Sequence, residues 1–123
     1  MLADARADLP SISILVPTRN GLNLLRNCLN GLARTEYPGP LEVIVIDNGS
    51  DHPATLEFLA SLDPKFAQVL RDDGPFNFAA MVNRAAEAAT GEVLVLLNND
   101  TEVITPGWLT EMVGQLSRPE VGV

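Results

Sequence analysis

The sequence contains little of several residue types on which common site chemistries depend. Its 123 residues include one cysteine and one histidine, which leaves no zinc-site spacing and no partner for an internal disulfide. The cysteine, Cys28, lies on the apolar side of a predicted helix, so we expect it to pack in the core. No apolar run approaches the length of about 20 residues that a helix needs to cross a bilayer. A chain of this length is expected to form one domain.

Positive charge is also scarce. Eight Lys and Arg stand against 16 Asp and Glu, for a formal net charge of −8, and no basic stripe offsets this balance. Because such a surface repels phosphate backbones, nucleic acid is not expected as a partner. The negative charge of a nucleotide would have to be stabilised locally, by backbone amides, helix N-termini, a divalent cation or single arginines such as Arg19. The first six residues lack the pattern of a secretory signal, so a cytoplasmic location is expected.

Several well-known phosphate and catalytic motifs are absent. The sequence has no G-x-G-x-x-G after its first strand, no G-x-x-x-x-G-K-[ST] and no G-x-S-x-G, which disfavours a dinucleotide, P-loop or hydrolase site. A phosphoacceptor domain needs an acidic pair after its first strand to hold magnesium. That position reads Pro17, Thr18 and Arg19 here, so this alternative is also excluded.

Apolar runs and amphipathic helical patterns alternate along the whole chain. Strands are predicted at 12–16, 41–46, 68–70 and 92–97, and helices at 22–32, 53–62, 77–89 and 105–116. Residues 121–123 resemble the start of a fifth strand. This alternation predicts an α/β fold with a mostly parallel sheet flanked by helices and joined by right-handed crossovers. The continuous apolar run at 93–97 predicts a strand buried on both faces.

The ends of the helices carry recognisable signals. Ser50 or Asp51 is predicted to cap the helix that begins at Pro53. Leu56 is predicted to lie on the apolar side of that helix. Gly91 is predicted to occupy the usual C-terminal glycine position after the alanine-rich helix.

Polar side chains follow every predicted strand. Because ligands of parallel α/β sheets bind outside the carboxyl ends of the strands, these residues predict a nucleotide and metal site. Asp100 could bind a divalent cation together with phosphate oxygens and water, or it could only organise a turn. Asp47 or Asn48 could contact a base or ribose, or form an Asx turn through Asn48 and Gly49. Arg19 and Arg71 could face a diphosphate, or be solvated surface residues.

Three segments, taken in order, resemble a known family. Residues 13–20, 45–50 and 97–100 are similar to the opening strand and turn, the V-D-D-G-S segment and the D-x-D segment of family-2 glycosyltransferases, inverting enzymes of the Rossmann-like GT-A fold. Residues 74–78 and 98–103 further resemble the branch that assembles O-antigen and rhamnan-type polysaccharides. The chain is therefore interpreted as the nucleotide-binding half of such an enzyme.

The resemblance implies a donor, a cofactor and a set of residues. The donor would be a UDP-, dTDP- or GDP-sugar, the acceptor a glycan or a lipid-linked acceptor, and the cofactor Mg²⁺ or Mn²⁺ held by Asp100. Asn48 stands in place of the second acid of V-D-D-G-S, and Asn98 in place of the first acid of D-x-D. The predicted nucleotide-binding residues are Pro17, Thr18, Arg19, Asp47, Asn48, Arg71 and Asn99.

Family members continue into an acceptor-binding half in which an Asp or Glu acts as general base. The catalytic base is therefore expected beyond Val123, and 1–123 is expected to be a truncated GT-A domain that binds donor but transfers sugar poorly. The full-length protein could lie against the inner membrane face. The alternative is a non-catalytic α/β nucleotide-binding or self-associating module, a homodimer that pairs through an edge strand exposed at Val123.

Overall fold

A computed structural model describes residues 9–98 and 106–116, with the backbone alone for 113–116. Strands and helices alternate through these residues, as the sequence predicts. Their bounds are β1 Ile12–Thr18, α1 Leu22–Ala33, β2 Leu41–Asp47, α2 Pro53–Ser61, β3 Ala67–Arg71, α3 Phe78–Ala88, β4 Val93–Leu96 and α4 Trp108–Leu116.

The four described strands form one sheet in the order β3-β2-β1-β4. Each strand pairs in parallel with its neighbours, which confirms the predicted α/β class with a parallel sheet. The chain first moves outward from β1 to β3 and then returns to the opposite side of β1 to form β4. Such a reversal of strand order leaves a crevice at the carboxyl edge, where ligands bind in this class of sheet.

Helices cover both faces of the sheet. One core lies between the strands and α1, α2 and α4, and it includes Cys28, which is fully buried as predicted. The second core lies under α3, where Met81 and Ala85 pack on Leu15, Ile44 and Ile46. Within residues 9–98 and 106–116, no helix is long and apolar enough to cross a membrane.

The prediction that β4 is buried on both faces is wrong. Leu94 and Leu96 are 46% and 43% exposed, whereas Val93 and Val95 pack against the first core. The reason is the position of α3, which packs across β1 and β2, so that within residues 9–98 and 106–116 no helix covers the same face of β4. The predicted fifth strand at 121–123 lies outside the described residues.

Three local predictions at the helix ends are also corrected. The N-cap of α2 is His52 and not Ser50 or Asp51, and the His52 side chain forms no capping hydrogen bond. Leu56 is 40% exposed, because the side of α2 that faces the core carries Thr55 and Leu59 instead. Gly91 is not a left-handed helix cap: α3 ends at an extended Ala89, and Gly91 instead lies directly against the backbone of β1.

A carboxylate at the amino edge of the sheet joins β2 to the start of β4. Glu42 Oε1 accepts hydrogen bonds from Ser13 Oγ at 2.6 Å and from the Thr90 amide at 2.6 Å. Ser13 Oγ in turn accepts from the Gly91 amide at 2.9 Å. Burial alone would raise the pKa of Glu42, but the hydrogen bonds from Ser13, Thr90 and Gly91 outweigh it and hold the pKa below its ordinary value.

We expect Glu42→Gln to lower the free energy of unfolding by about 1 kcal/mol at pH 7, because a neutral acceptor binds these donors less strongly. The pKa of Glu42 is lower in the folded state, so its stabilisation is present above the unfolded-state pKa of about 4.3 and is lost as pH falls through the folded-state value. Urea unfolding at several pH values measures this difference. The exposed Glu57→Gln is the control, and an equal effect of the two substitutions at pH 7 would contradict the prediction.

Candidate functional site

The carboxyl ends of three strands bring predicted site residues together. Thr18 of β1 lies in register with Asp47 of β2, and Asp47 lies in register with Arg71 of β3. The pairing extends one residue further, because the Asn48 amide donates to Thr18 O at 2.9 Å and the Asp72 amide donates to Asp47 O at 2.8 Å. The loops after the three strands therefore start from one rigid edge.

The carboxylate of Asp47 is almost fully buried, at 2% exposure. Its Oδ1 accepts from the Ser50 amide at 3.0 Å, and its Oδ2 accepts from Arg71 Nη1 at 2.7 Å. Gly49 takes a left-handed φ of 72° in the turn between Asp47 and Ser50. The hydrogen-bonded turn that the sequence offered as an alternative is thus present, with Asp47 as its acceptor. Contact with a ligand stays a prediction.

Arg71 joins the turn after β2 to the loop after β3. Besides its bond to Asp47, its Nη1 donates to Ser50 O at 2.9 Å, and its Nε donates to Asp73 Oδ1 at 2.5 Å. These hydrogen bonds to Asp47 and Asp73 raise the pKa of Arg71 above its ordinary value. The guanidinium is therefore fully charged and held between two carboxylates.

The side chain of Asn48 clamps the loop that follows β3. It is 3% exposed, and its Nδ2 donates to Asp72 O at 3.0 Å and to Gly74 O at 3.3 Å. A carboxylate cannot donate these bonds, so the amide at this position, which departs from the family motif, has a structural reason.

Asn20 is a site residue that the sequence reasoning missed. Its Oδ1 accepts from the amides of Asp51 and His52, each at 3.1 Å, and so occupies the N-terminus of α2 from another loop. Its own amide donates to Ser50 Oγ at 2.8 Å. Its backbone is left-handed, with a φ of 52°, and Gly21 follows with a φ of 60°. The Asn-Gly pair was the signal available for this turn.

Hydrogen bonding and charge also act on Asp51, at the exposed edge of this cluster. Asn20 Nδ2 donates to Asp51 Oδ1 at 3.0 Å, and this bond is the main cause of a lowered pKa for Asp51. The charges of His52 and Arg19 lower it further. Arg19 itself is exposed and forms no hydrogen bond within the described part of the chain, and Pro17 beside it is half-buried.

The end of β4 is described only as far as Asn98, whose backbone oxygen lies 3.8 Å from Cys28 Sγ. The predicted nucleotide-binding Asn99 and metal-binding Asp100 lie outside the described residues. Among residues 9–98 and 106–116, no group of three or more His, Cys, Asp or Glu is arranged to hold a metal ion.

The sequence of the chain matches one protein family over most of its length. A family model described as glycosyl transferase family 2 matches residues 13–123. The chain belongs to this family. This family-2 chain is also 45% identical, over 92% of its length, to the O-antigen biosynthesis protein RfbC of Myxococcus xanthus. It is 30% identical, over 98% of its length, to an N-acetylglucosaminyltransferase of Bradyrhizobium elkanii, of which it covers 68%.

A solved structure shares the fold of this family-2 chain. The mannosyltransferase PcManGT from Pyrobaculum calidifontis, in complex with GDP-Man and Mn²⁺, superposes with a TM-score of 0.80 and 27% identity. The match covers 95% of this chain and 35% of PcManGT. The predicted GT-A fold and family-2 membership are therefore confirmed. The chain spans 9% of the length of RfbC.

Proposed function

We propose that residues 1–123 form the donor-binding part of a glycosyltransferase that moves a sugar from a nucleoside-diphosphate sugar to a glycan or lipid-linked acceptor. The observation that supports this most directly is the in-register edge of Thr18, Asp47 and Arg71, with a buried carboxylate at its centre. A buried, hydrogen-bonded carboxylate at the carboxyl edge of a parallel sheet is suited to recognising the polar edge of a base or ribose. That PcManGT binds GDP-Man supports a nucleotide sugar as the ligand.

We assign the proposed roles by position at this edge. Pro17, Thr18 and Arg19 follow β1 and line the nucleotide, with Arg19 the exposed cation on the diphosphate side. Asp47 and Asn48 lie nearest the base and ribose, and Asn99 follows β4. Asp47 has lone pairs left for such a contact, because a carboxylate offers about four acceptor sites and the described hydrogen bonds use two of them.

The proposed divalent cation is Mg²⁺ or Mn²⁺. The residues present can hold it only if the substrate provides most of its ligands. The described residues hold no metal-binding cluster of their own. Magnesium in phosphate sites is often held by one or two carboxylates, with water and phosphate oxygens completing the shell. Asp100, which follows β4 in the sequence, is the proposed carboxylate, and when bound the cation would neutralise charge on the diphosphate.

The transfer step itself needs a group that we place outside this segment. In an inverting transfer a general base takes the proton of the acceptor hydroxyl, opposite the departing nucleoside diphosphate. We propose that this base lies beyond Val123 and that 1–123 alone binds donor but transfers sugar poorly. A location in the cytoplasm, against the inner membrane face in the full-length protein, is part of the same proposal.

Calorimetric titration of UDP, GDP and dTDP, with Mn²⁺ and then with EDTA, tests the donor site. We expect one nucleotide to bind at least about tenfold more weakly without the metal, since the cation offsets the repulsion between the diphosphate and an acidic chain. Asp100→Ala should reduce affinity as EDTA does. The exposed Glu57→Ala is the matched control and should leave affinity unchanged. Binding that ignores both EDTA and Asp100→Ala would refute the metal role, and no binding by any nucleotide would refute the donor site.

One observation favours self-association as a second function. β4 lies at one edge of the described sheet, and the apolar side chains of its Leu94 and Leu96 are 46% and 43% exposed. Open strand edges with apolar side chains favour pairing with another chain. The homodimer through an edge strand stays a prediction.

A further inference from the structure

Arg71 is the most heavily engaged cation in the described part of the site. Three of its five N–H donors are used: two from Nη1, to Asp47 Oδ2 and Ser50 O, and one from Nε to Asp73 Oδ1. All three bonds hold the guanidinium against the protein, at 2.5 to 2.9 Å. Such a fork has a defined orientation, which a lysine or a solvated arginine lacks.

The local charge also argues against a phosphate-binding role. Arg71 contributes one positive charge, and the carboxylates of Asp47 and Asp73 lie 2.7 and 2.5 Å from it. The three groups together carry a net negative charge, so a diphosphate gains little attraction there. Arg19 differs, because it is exposed and forms no hydrogen bond within the described residues.

The buried member of the network is Asp47. Its side chain is 3% exposed, whereas the Arg71 side chain is 42% exposed. Arg71 and the Ser50 amide approach opposite oxygens of this carboxylate and so fix its plane. A change at Arg71 would therefore be transmitted to Asp47 and to the Ser50 turn.

We propose that Arg71 is a positioning residue of the donor site, which orients Asp47 toward the nucleoside part of the donor and does not bind the diphosphate. The inference rests on the proposed function, because it takes the nucleoside as the partner of Asp47. It assigns Arg71 a different role from the diphosphate contact that the sequence suggested. Asp73 contributes to this positioning because it accepts a hydrogen bond from Arg71 Nε and so holds the guanidinium in place.

The test compares Arg71→Met with the wild-type chain in two measurements. The first is affinity for a nucleoside diphosphate and for the matching nucleoside, measured by NMR titration with UDP and uridine, or GDP and guanosine. The second is hydrogen exchange of the Ser50 amide, which donates to the carboxylate that Arg71 holds. Arg34→Met is the matched control, since it removes the same charge from an exposed residue at the end of α1.

We expect Arg71→Met to lower the affinity for the nucleoside diphosphate and the affinity for the nucleoside by the same factor, about tenfold. The same substitution should speed hydrogen exchange of the Ser50 amide by a similar factor. The double variant Arg71→Met with Asp47→Asn should bind no more weakly than Asp47→Asn alone, because both changes remove one interaction. Arg34→Met should change neither measurement.

Two results would overturn the inference. One is a loss confined to the diphosphate, which would place Arg71 on the phosphates. The other is an unchanged Ser50 exchange rate, which would mean that Arg71 does not hold Asp47. If the wild-type chain binds no nucleotide, the proposed function fails, and the Ser50 exchange rate still decides whether Arg71 orients Asp47.

Discussion

Gly91→Ala is expected to destabilise the domain by about 3 kcal/mol or more, which is a large fraction of the free energy of unfolding of a typical domain. A Cβ at this position would lie 2.5 Å from Ser13 Oγ, 2.6 Å from the Ser13 nitrogen and 2.8 Å from the carbonyl carbon of Ile12. Two of these atoms are backbone atoms of β1, which is paired on both sides and cannot shift without moving the sheet. The shift would also break the hydrogen bond that the Gly91 amide donates to Ser13 Oγ.

Two other glycines are the controls for Gly91→Ala. A Cβ at Gly107 would meet nothing within 4 Å, so Gly107→Ala should change stability by less than about 0.5 kcal/mol. Gly49 also has open space but a left-handed φ of 72°, so Gly49→Ala should cost about 1 to 2 kcal/mol from backbone strain alone. Urea unfolding of the three variants gives the order directly. An equal effect of Gly91→Ala and Gly107→Ala would show that the tight contact is not there.

Asn48→Asp is expected to cost about 2 to 4 kcal/mol at pH 7 and to weaken nucleotide binding as well. The change would place carboxylate oxygens against the carbonyl oxygens of Asp72 and Gly74, where Nδ2 now donates at 3.0 and 3.3 Å. The new charge would be buried, because residue 48 is 3% exposed. The loop after β3 would lose the two hydrogen bonds that hold it to the site.

The pH dependence of Asn48→Asp distinguishes this cause from a general loss of packing. Burial beside other acceptors raises the pKa of the introduced carboxyl in the folded state, so the deficit should grow as pH rises above about 4 and shrink below it, where the protonated group can donate one bond. The exposed Asn27→Asp on α1 is the control and should change stability by less than about 0.5 kcal/mol. A deficit of constant size between pH 3 and pH 7 would contradict the proposed cause.

Much of the fold could be predicted because its signals are local. The apolar spacing in α1 predicts one buried face because a helical face is read directly from the sequence. Of the residues predicted there, Leu25, Cys28, Leu29 and Leu32 are buried, whereas Leu22, the first residue of the helix, is only half-buried. The exposure of Leu94 and Leu96 could not be predicted in this way. It depends on which strands α3 crosses, and the same apolar run would fit a strand covered on both faces.

The sequence by itself determined the family, the parallel α/β sheet and the edge at which polar residues gather, because strand periodicity and motif order are properties of neighbouring residues. It also placed Thr18, Asp47 and Arg71 at that edge. Only the tertiary structure decided which atoms they bind: Arg71 reaches Asp47 across 24 positions, and Asn20 reaches the start of α2 across 31. Hydrogen bonds between loops depend on strand order and register, and no local pattern in the sequence encodes those distances.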